Sequence, residues 1–139
     1  RGSGLFLSNC ARCHRVKGEG GSLGPDLSQI TSRRSAAALV NSVREPSATI
    51  ARRYHSVSLV FEGLSAGASG SRQRIQGTLK SEDAFSIQMM DTNQQLRAFM
   101  KADLLEFVRE SDSLMPAFSR TDLSSAELED ILTFLQSQL

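Results

Sequence analysis

The sequence predicts a mainly α fold into which a small antiparallel β-sheet or partial barrel is inserted, and three observations predict it. Residues 32–44 concentrate Ala36, Ala37, Ala38, Leu39, Val40 and Val43 in a run that suits a helix. Ser124-Ser125-Ala126-Glu127 has the form of a capping box, and behind it Leu128, Ile131, Leu132, Leu135 and Leu139 recur at three- and four-residue spacing, so one stripe of a final helix faces a core. Between the two, the period changes: residues 55–61 alternate, with Val57, Leu59 and Phe61 on one face, and extended runs follow at hairpin spacing. The 139 residues are therefore read as one domain over 1–139 carrying a β-rich insertion over 55–110.

In chain order, residues 2–10 hold Leu5, Phe6 and Leu7 and read as a short helix that ends at a cysteine. Residues 15–27 contain four glycines and Pro25, a loop composition. Ser32 or Thr31 is the expected N-cap of the helix over 32–44, and Glu45-Pro46 closes it. A further helical turn is expected over 47–52. After the strand at 55–61, the Gly/Ser-rich stretch 63–71 reads as a mobile loop. Strands are then expected over 74–80, 84–91 and 95–101, separated by the turn-like Ser81-Glu82-Asp83 and Thr92-Asn93-Gln94. Their pattern bears a distant likeness to an Sm or SH3-type small barrel. Residues 102–110 read as helical or irregular.

Cys10-Ala11-Arg12-Cys13-His14 places two thiols and an imidazole within about one turn of chain. This is the spacing of c-type haem attachment, in which each sulfur forms a thioether to one vinyl group and the following histidine becomes the proximal iron ligand. Three other readings of the pair stand beside it. A zinc half-site needs four ligands, and His55 is the only histidine beyond His14. A thioredoxin-like redox pair calls for a βαβ context, which the sequence lacks. A disulfide across three residues closes a very small loop and contributes little.

Further candidates fall in place around that motif. In Gly24-Pro25-Asp26-Leu27, the Pro25 carbonyl is the expected acceptor for the second N–H of His14, and Leu27 is expected to pack on the haem; an ordinary loop turn is the alternative. Arg52 and Tyr54, in the cluster Arg52-Arg53-Tyr54-His55, are candidate donors to haem propionates, with plain surface solvation as the competing reading. Met115 is the expected sixth ligand, since it precedes Pro116, which restrains its backbone, whereas Met89, Met90 and Met100 lie in strand patterns and read as core. The last helix is expected to dock on the first near Gly2 and Phe6. The insertion shows no metal, phosphate-binding or nucleophile motif, and no Ser/His/Asp assembly.

The net charge of +1 conceals an asymmetry. Residues 1–55 carry nine Lys or Arg against three acids, while residues 111–139 carry Arg120 alone against five acids. Such a dipole steers acidic partners, or simply solvates two faces and balances propionates. No apolar run is long enough to span a bilayer, and the chain opens on Arg1-Gly2-Ser3-Gly4 with no signal peptide among its residues.

Gly2, Leu5 and Phe6, then Cys10-x-x-Cys13-His14, Gly24-Pro25-Asp26-Leu27, Met115-Pro116 and the ending Leu123-Ser124-x-x-Glu127-x-x-Asp130-Ile131-x-x-Phe134-Leu135 together resemble a class I c-type cytochrome over residues 2–54 and 111–138. Glu45-Pro46-Ser47-Ala48-x-Ile50, with Tyr54 and the later Ser113-Leu114-Met115-Pro116, is similar to predicted bacterial haem-binding domains, many of them joined to dehydrogenase-like or propeller-like proteins. The resemblance implies a class I cytochrome c fold, one covalent haem c and His14/Met115 ligation of its iron. It also implies a periplasmic or other extracytoplasmic location and electron transfer rather than enzymatic catalysis. The expected partners are redox proteins, such as a dehydrogenase or terminal oxidase, and not nucleic acid. Two alternatives accompany it: the electron-accepting domain of a larger dehydrogenase, and a ligand-binding or peroxidase-like haem protein if Met115 does not coordinate.

Overall fold

The computed structural model describes residues 1–63 and 71–139, so most of the stretch read as a mobile loop lies outside the described residues. The chain divides into two compact units, Arg1–Ile50 with Met115–Leu139, and Ala51–Leu114.

The first unit contains α1 (Gly2–Asn9), the two-residue strands β1 (Arg15–Val16) and β2 (Glu19–Gly20), α2 (Ile30–Arg33), α3 (Ala36–Arg44) and α4 (Ser125–Gln136). Its core consists of Phe6, Val16, Leu123, Leu128, Ile131 and Leu135. Helix α1 lies close on α4, because Gly2 has no Cβ: one placed there meets the Asp130 carbonyl oxygen and stands 2.9 Å from Phe134 Cβ. The Phe6 and Phe134 rings then meet at a centroid separation of 5.4 Å and a tilt of 42°. At the start of α4 the Ser124 hydroxyl accepts from Glu127 N at 3.1 Å, and the Glu127 carboxylate accepts from Ser124 N at 3.0 Å, which completes the capping box. Helix α3 begins later than expected. Ser35, not Ser32 or Thr31, is its N-cap and accepts from Ala38 N at 3.2 Å, while residues 30–33 form the separate one-turn α2. Residues 47–52 form turns rather than a helical turn.

The second unit contains β3 (Ser56–Gly63), β4 (Ser71–Glu82), β5 (Ser86–Asp91), β6 (Leu96–Met100), a 3-10 turn (Lys101–Asp103) and β7 (Leu104–Arg109). They form one antiparallel sheet in the order β6-β5-β4-β3-β7 around Val57, Leu59, Ile87 and Met89. Strands β6 and β7 occupy opposite edges of that sheet, yet only the three-residue turn joins them. A link that short spans about 6 Å, so the sheet must coil until its edges approach, giving a partial barrel. The Glu82 carboxylate fastens this region by accepting from Lys101 Nζ at 2.6 Å and Arg109 Nη2 at 2.7 Å.

Three expectations are corrected here. The fold is not mainly α: 27% of the described residues are helical and 31% are strand. Short helices of four to twelve residues fill only part of the first unit, whereas β4 alone runs twelve residues. Residues 102–110 are not helical or irregular, since β7 occupies most of them. The cause is a bulge: Phe61 pairs with Leu104 and Val60 with Glu106, which inserts Leu105 and leaves Leu104 and Phe107 three apart on the core side, a spacing that imitates a helix. Met100 is not core either; it is 53% exposed, whereas Met89 and Met90 are buried.

Candidate haem site

Helix α1 stops at Asn9, and Cys10 leaves it at φ −122, ψ −34 while its N–H still donates to Phe6 O at 2.8 Å. Both Cys13 N and His14 N donate to the Cys10 carbonyl, at 3.1 and 2.9 Å, so the five-residue motif is wound into one turn. Both thiols are free and half-buried. Burial and the neighbouring Cys13 push the Cys10 thiol up to about 11, so it is a thiol and not a thiolate at neutral pH.

The loop over 15–27 then folds back beneath the motif. Gly21 N donates to Ala11 O at 2.9 Å, Gly24 N to Cys13 O at 2.8 Å and Leu27 N to Arg15 O at 2.8 Å. This strap buries His14 to 8% exposure and sets the Pro25 carbonyl 2.7 Å from its Nδ1. A carbonyl only accepts, so Nδ1 carries the proton and Nε2 keeps its lone pair. Burial pushes the imidazole's pKa down, and the Pro25 bond partly opposes that shift; the ring is neutral and its Nε2 is ready to coordinate. Gly24 lies flat on the ring, where a Cβ would stand 2.6 Å from His14 Cε1 and 2.9 Å from Nδ1.

Leu27 is half-buried and joins the helical core together with Cys10. Met115 belongs to the same unit as His14 and is half-buried. The segment that follows it is clamped on α3: Phe118 N donates to Val43 O at 3.1 Å, and Arg44 Nη1 donates to the carbonyls of Phe118, Ser119 and Leu123 at 3.0, 2.8 and 2.7 Å. Arg52 and Tyr54 fall in the other unit. Arg52 is exposed, and the half-buried Tyr54 ring lies under Lys80 Nζ at 4.0 Å.

Two residues of this arrangement escaped the sequence reading. Gly24 was legible only as a loop residue, and the pattern gave no sign that the absence of its side chain admits the imidazole. Arg44 looked like one more base in a helix, because its three acceptors lie more than seventy residues away.

Two adjacent thiols beside a neutral imidazole with one free nitrogen suit a tethered iron porphyrin. They do not suit a zinc ion, since no three His, Cys, Asp or Glu side chains gather as a metal site among the described residues. Helix, motif and strap thus define a haem-attachment module. Residues 1–59 match the family model described as Cytochrome c, which is consistent with a c-type cytochrome. Covalently bound haem c and haem-based electron transfer come with that family. The match ends at residue 59, which corrects the expectation that the class I cytochrome pattern also takes in residues 111–138: the matched domain lies at the N-terminus only. A comparison with curated proteins finds no match. Among the described residues, no helix is long and apolar enough to cross a membrane.

Proposed function

We propose that this chain is a single-haem electron carrier in which His14 and Met115 are the two axial ligands of the iron, acting outside the cytoplasm between redox partner proteins. The observation that carries the reading is the 2.7 Å bond between His14 Nδ1 and the Pro25 carbonyl, which fixes tautomer and ring and leaves Nε2 as the donor. Haem iron supplies a one-electron couple there.

The chain's own part is positioning. Cys10 and Cys13 provide the two tethers, the strap holds the imidazole, and Leu27 supplies an apolar neighbour that keeps water away. Met115 supports the thioether assignment by its half-burial in the unit that contains His14 and by the Arg44 clamp that restrains the segment after it. With both ligands retained through the redox cycle, little reorganisation accompanies electron exchange. Such a carrier exchanges electrons with a dehydrogenase or a terminal oxidase, and the periplasm is the compartment in which its attachment would take place.

The test is absorption of the oxidised holoprotein. A far-red sulfur-to-iron band that disappears in Met115→Ala, with attached haem retained, supports the assignment. A wild-type spectrum without that band leaves the iron open on one side and favours a ligand-binding or peroxidase-like role instead.

A further inference from the structure

Leu114 is the last residue of the second unit, and Met115 is the first residue of the chain's return to the unit that contains His14. Whatever holds Met115 beside His14 must therefore act on the segment that follows it. We propose that Arg44 is the positioning residue for the sixth iron ligand, and that by fixing this segment on α3 it decides whether the iron is closed to outside molecules. The inference rests on the reading of Met115 as that ligand.

A base in the last turn of a helix ordinarily serves that helix's own carbonyls and dipole. Arg44 lies in the last turn of α3, yet its Nη1 donates to the carbonyls of Phe118, Ser119 and Leu123, which lie 74, 75 and 79 positions away. All three bonds converge on one nitrogen, and no carboxylate pairs with the guanidinium among the described residues. A further link stands beside them, from Phe118 N to Val43 O at 3.1 Å. The acceptors belong to one closed turn: Leu123 N donates to Ser119 O at 2.9 Å, and the Asp122 carboxylate accepts from Ser119 N and Oγ at 3.0 and 2.9 Å. Phe118 and Val43 pack on the helical core, in which Leu123 is buried. Arg44 thus fastens a preformed turn to α3, and only Pro116 and Ala117 separate that turn from Met115. Pro116 fixes its own φ and restrains the backbone of Met115, so the link has little slack.

This arrangement sets how firmly the sixth position is closed. An outside ligand binds only while Met115 is off the iron, so its apparent affinity is its intrinsic affinity reduced by the open fraction. A segment released from α3 must be ordered again each time the thioether returns, and ordering one more residue shifts that equilibrium on the order of tenfold.

The experiment is a titration of the oxidised holoprotein with imidazole at neutral pH, followed by haem absorption. Arg44→Met is expected to bind imidazole about tenfold more tightly than the wild type, with the haem still attached and its far-red band weakened. In a Met115→Ala background the same substitution should change nothing, because no ligand remains to be positioned; that non-additivity separates positioning from stability. Ser35→Ala is the structural control. It removes the N-cap at the opposite end of the same helix and should leave imidazole affinity as in the wild type. Should Arg44→Met not fold, Arg44→Lys puts a single donor on a flexible stem in place of the planar fork and should tighten binding in the same direction. With the wild-type band present, an affinity that the Arg44 substitution does not move, or that rises equally in Ser35→Ala or in the Met115→Ala background, overturns the proposal. A wild type that binds imidazole as tightly as Met115→Ala refutes the ligand assignment itself, and the role given to Arg44 falls with it.

Discussion

Replacing Gly24 by alanine probes the contact between the strap and the His14 imidazole. The new Cβ would stand 2.6, 2.9 and 3.0 Å from His14 Cε1, Nδ1 and Nε2, against the ~3.5–4.0 Å of relaxed carbon contacts. About 1 Å must be found somewhere. If the imidazole yields, its bond to the Pro25 carbonyl is lost, at about 1 kcal/mol. If the strap yields, the Gly24 N to Cys13 O bond is strained instead. Overpacking adds about 1–3 kcal/mol, and the smaller entropy of the unfolded alanine chain returns about 0.5 kcal/mol. The net expectation is a loss of about 1.5–3.5 kcal/mol, or on the order of 10 °C in the unfolding midpoint. Guanidinium and thermal unfolding of the oxidised holoprotein, followed by circular dichroism and haem absorption, measure it. Gly4→Ala is the control: it sits in α1 with nothing within 4 Å of the added methyl and should be neutral or stabilising by up to about 1 kcal/mol. A Gly24→Ala protein as stable as Gly4→Ala, with an unchanged spectrum, refutes the reasoning.

Other expectations follow from the same contacts. Arg44→Met removes three bonds to the carbonyls of Phe118, Ser119 and Leu123 and should cost about 2–4 kcal/mol in denaturant unfolding; it should also weaken the far-red band if the clamp holds Met115. Ser124→Ala breaks the capping box of α4 at a cost of about 1 kcal/mol, measurable by the same unfolding. Glu82 is held down to about 2 by bonds from Arg109 and Lys101. Its folded value lies below its unfolded one, so its contribution is fully present above about pH 4.5 and is lost as the pH falls toward about 2. Glu82→Gln should therefore reduce the slope of stability against pH in that acid window and leave the slope at neutral pH unchanged.

What was legible in the sequence had local causes. Cys10, Cys13 and His14 announce themselves by spacing, Ser124 and Glu127 by a motif whose two bonds close within one turn, and Pro25 by its place in a glycine-rich loop eleven residues beyond the imidazole. The misreadings came from tertiary effects. The bulge opposite Val60 disguised β7 as helix, because it moved Leu104 and Phe107 to a three-residue spacing. Met100 resembles a core methionine in its alternating strand, but sequence alternation does not say which face is covered. The balance of helix and strand was misjudged because alternation shows that strands exist without showing that β4 runs unbroken from Ser71 to Glu82. Gly24 and Arg44 act through atoms distant in sequence or through an absent side chain, and neither leaves a periodic trace.

The most direct measurement is a proton–carbon spectrum of the reduced holoprotein with methyl-labelled methionine. The chain has four methionines, so four signals are expected. If Met115 ligates the iron, its methyl would be shifted by the porphyrin ring current. The account predicts one strongly upfield signal that disappears in Met115→Ala, with Met89, Met90 and Met100 in the ordinary range. Four ordinary signals, or an upfield one that persists without Met115, contradict it.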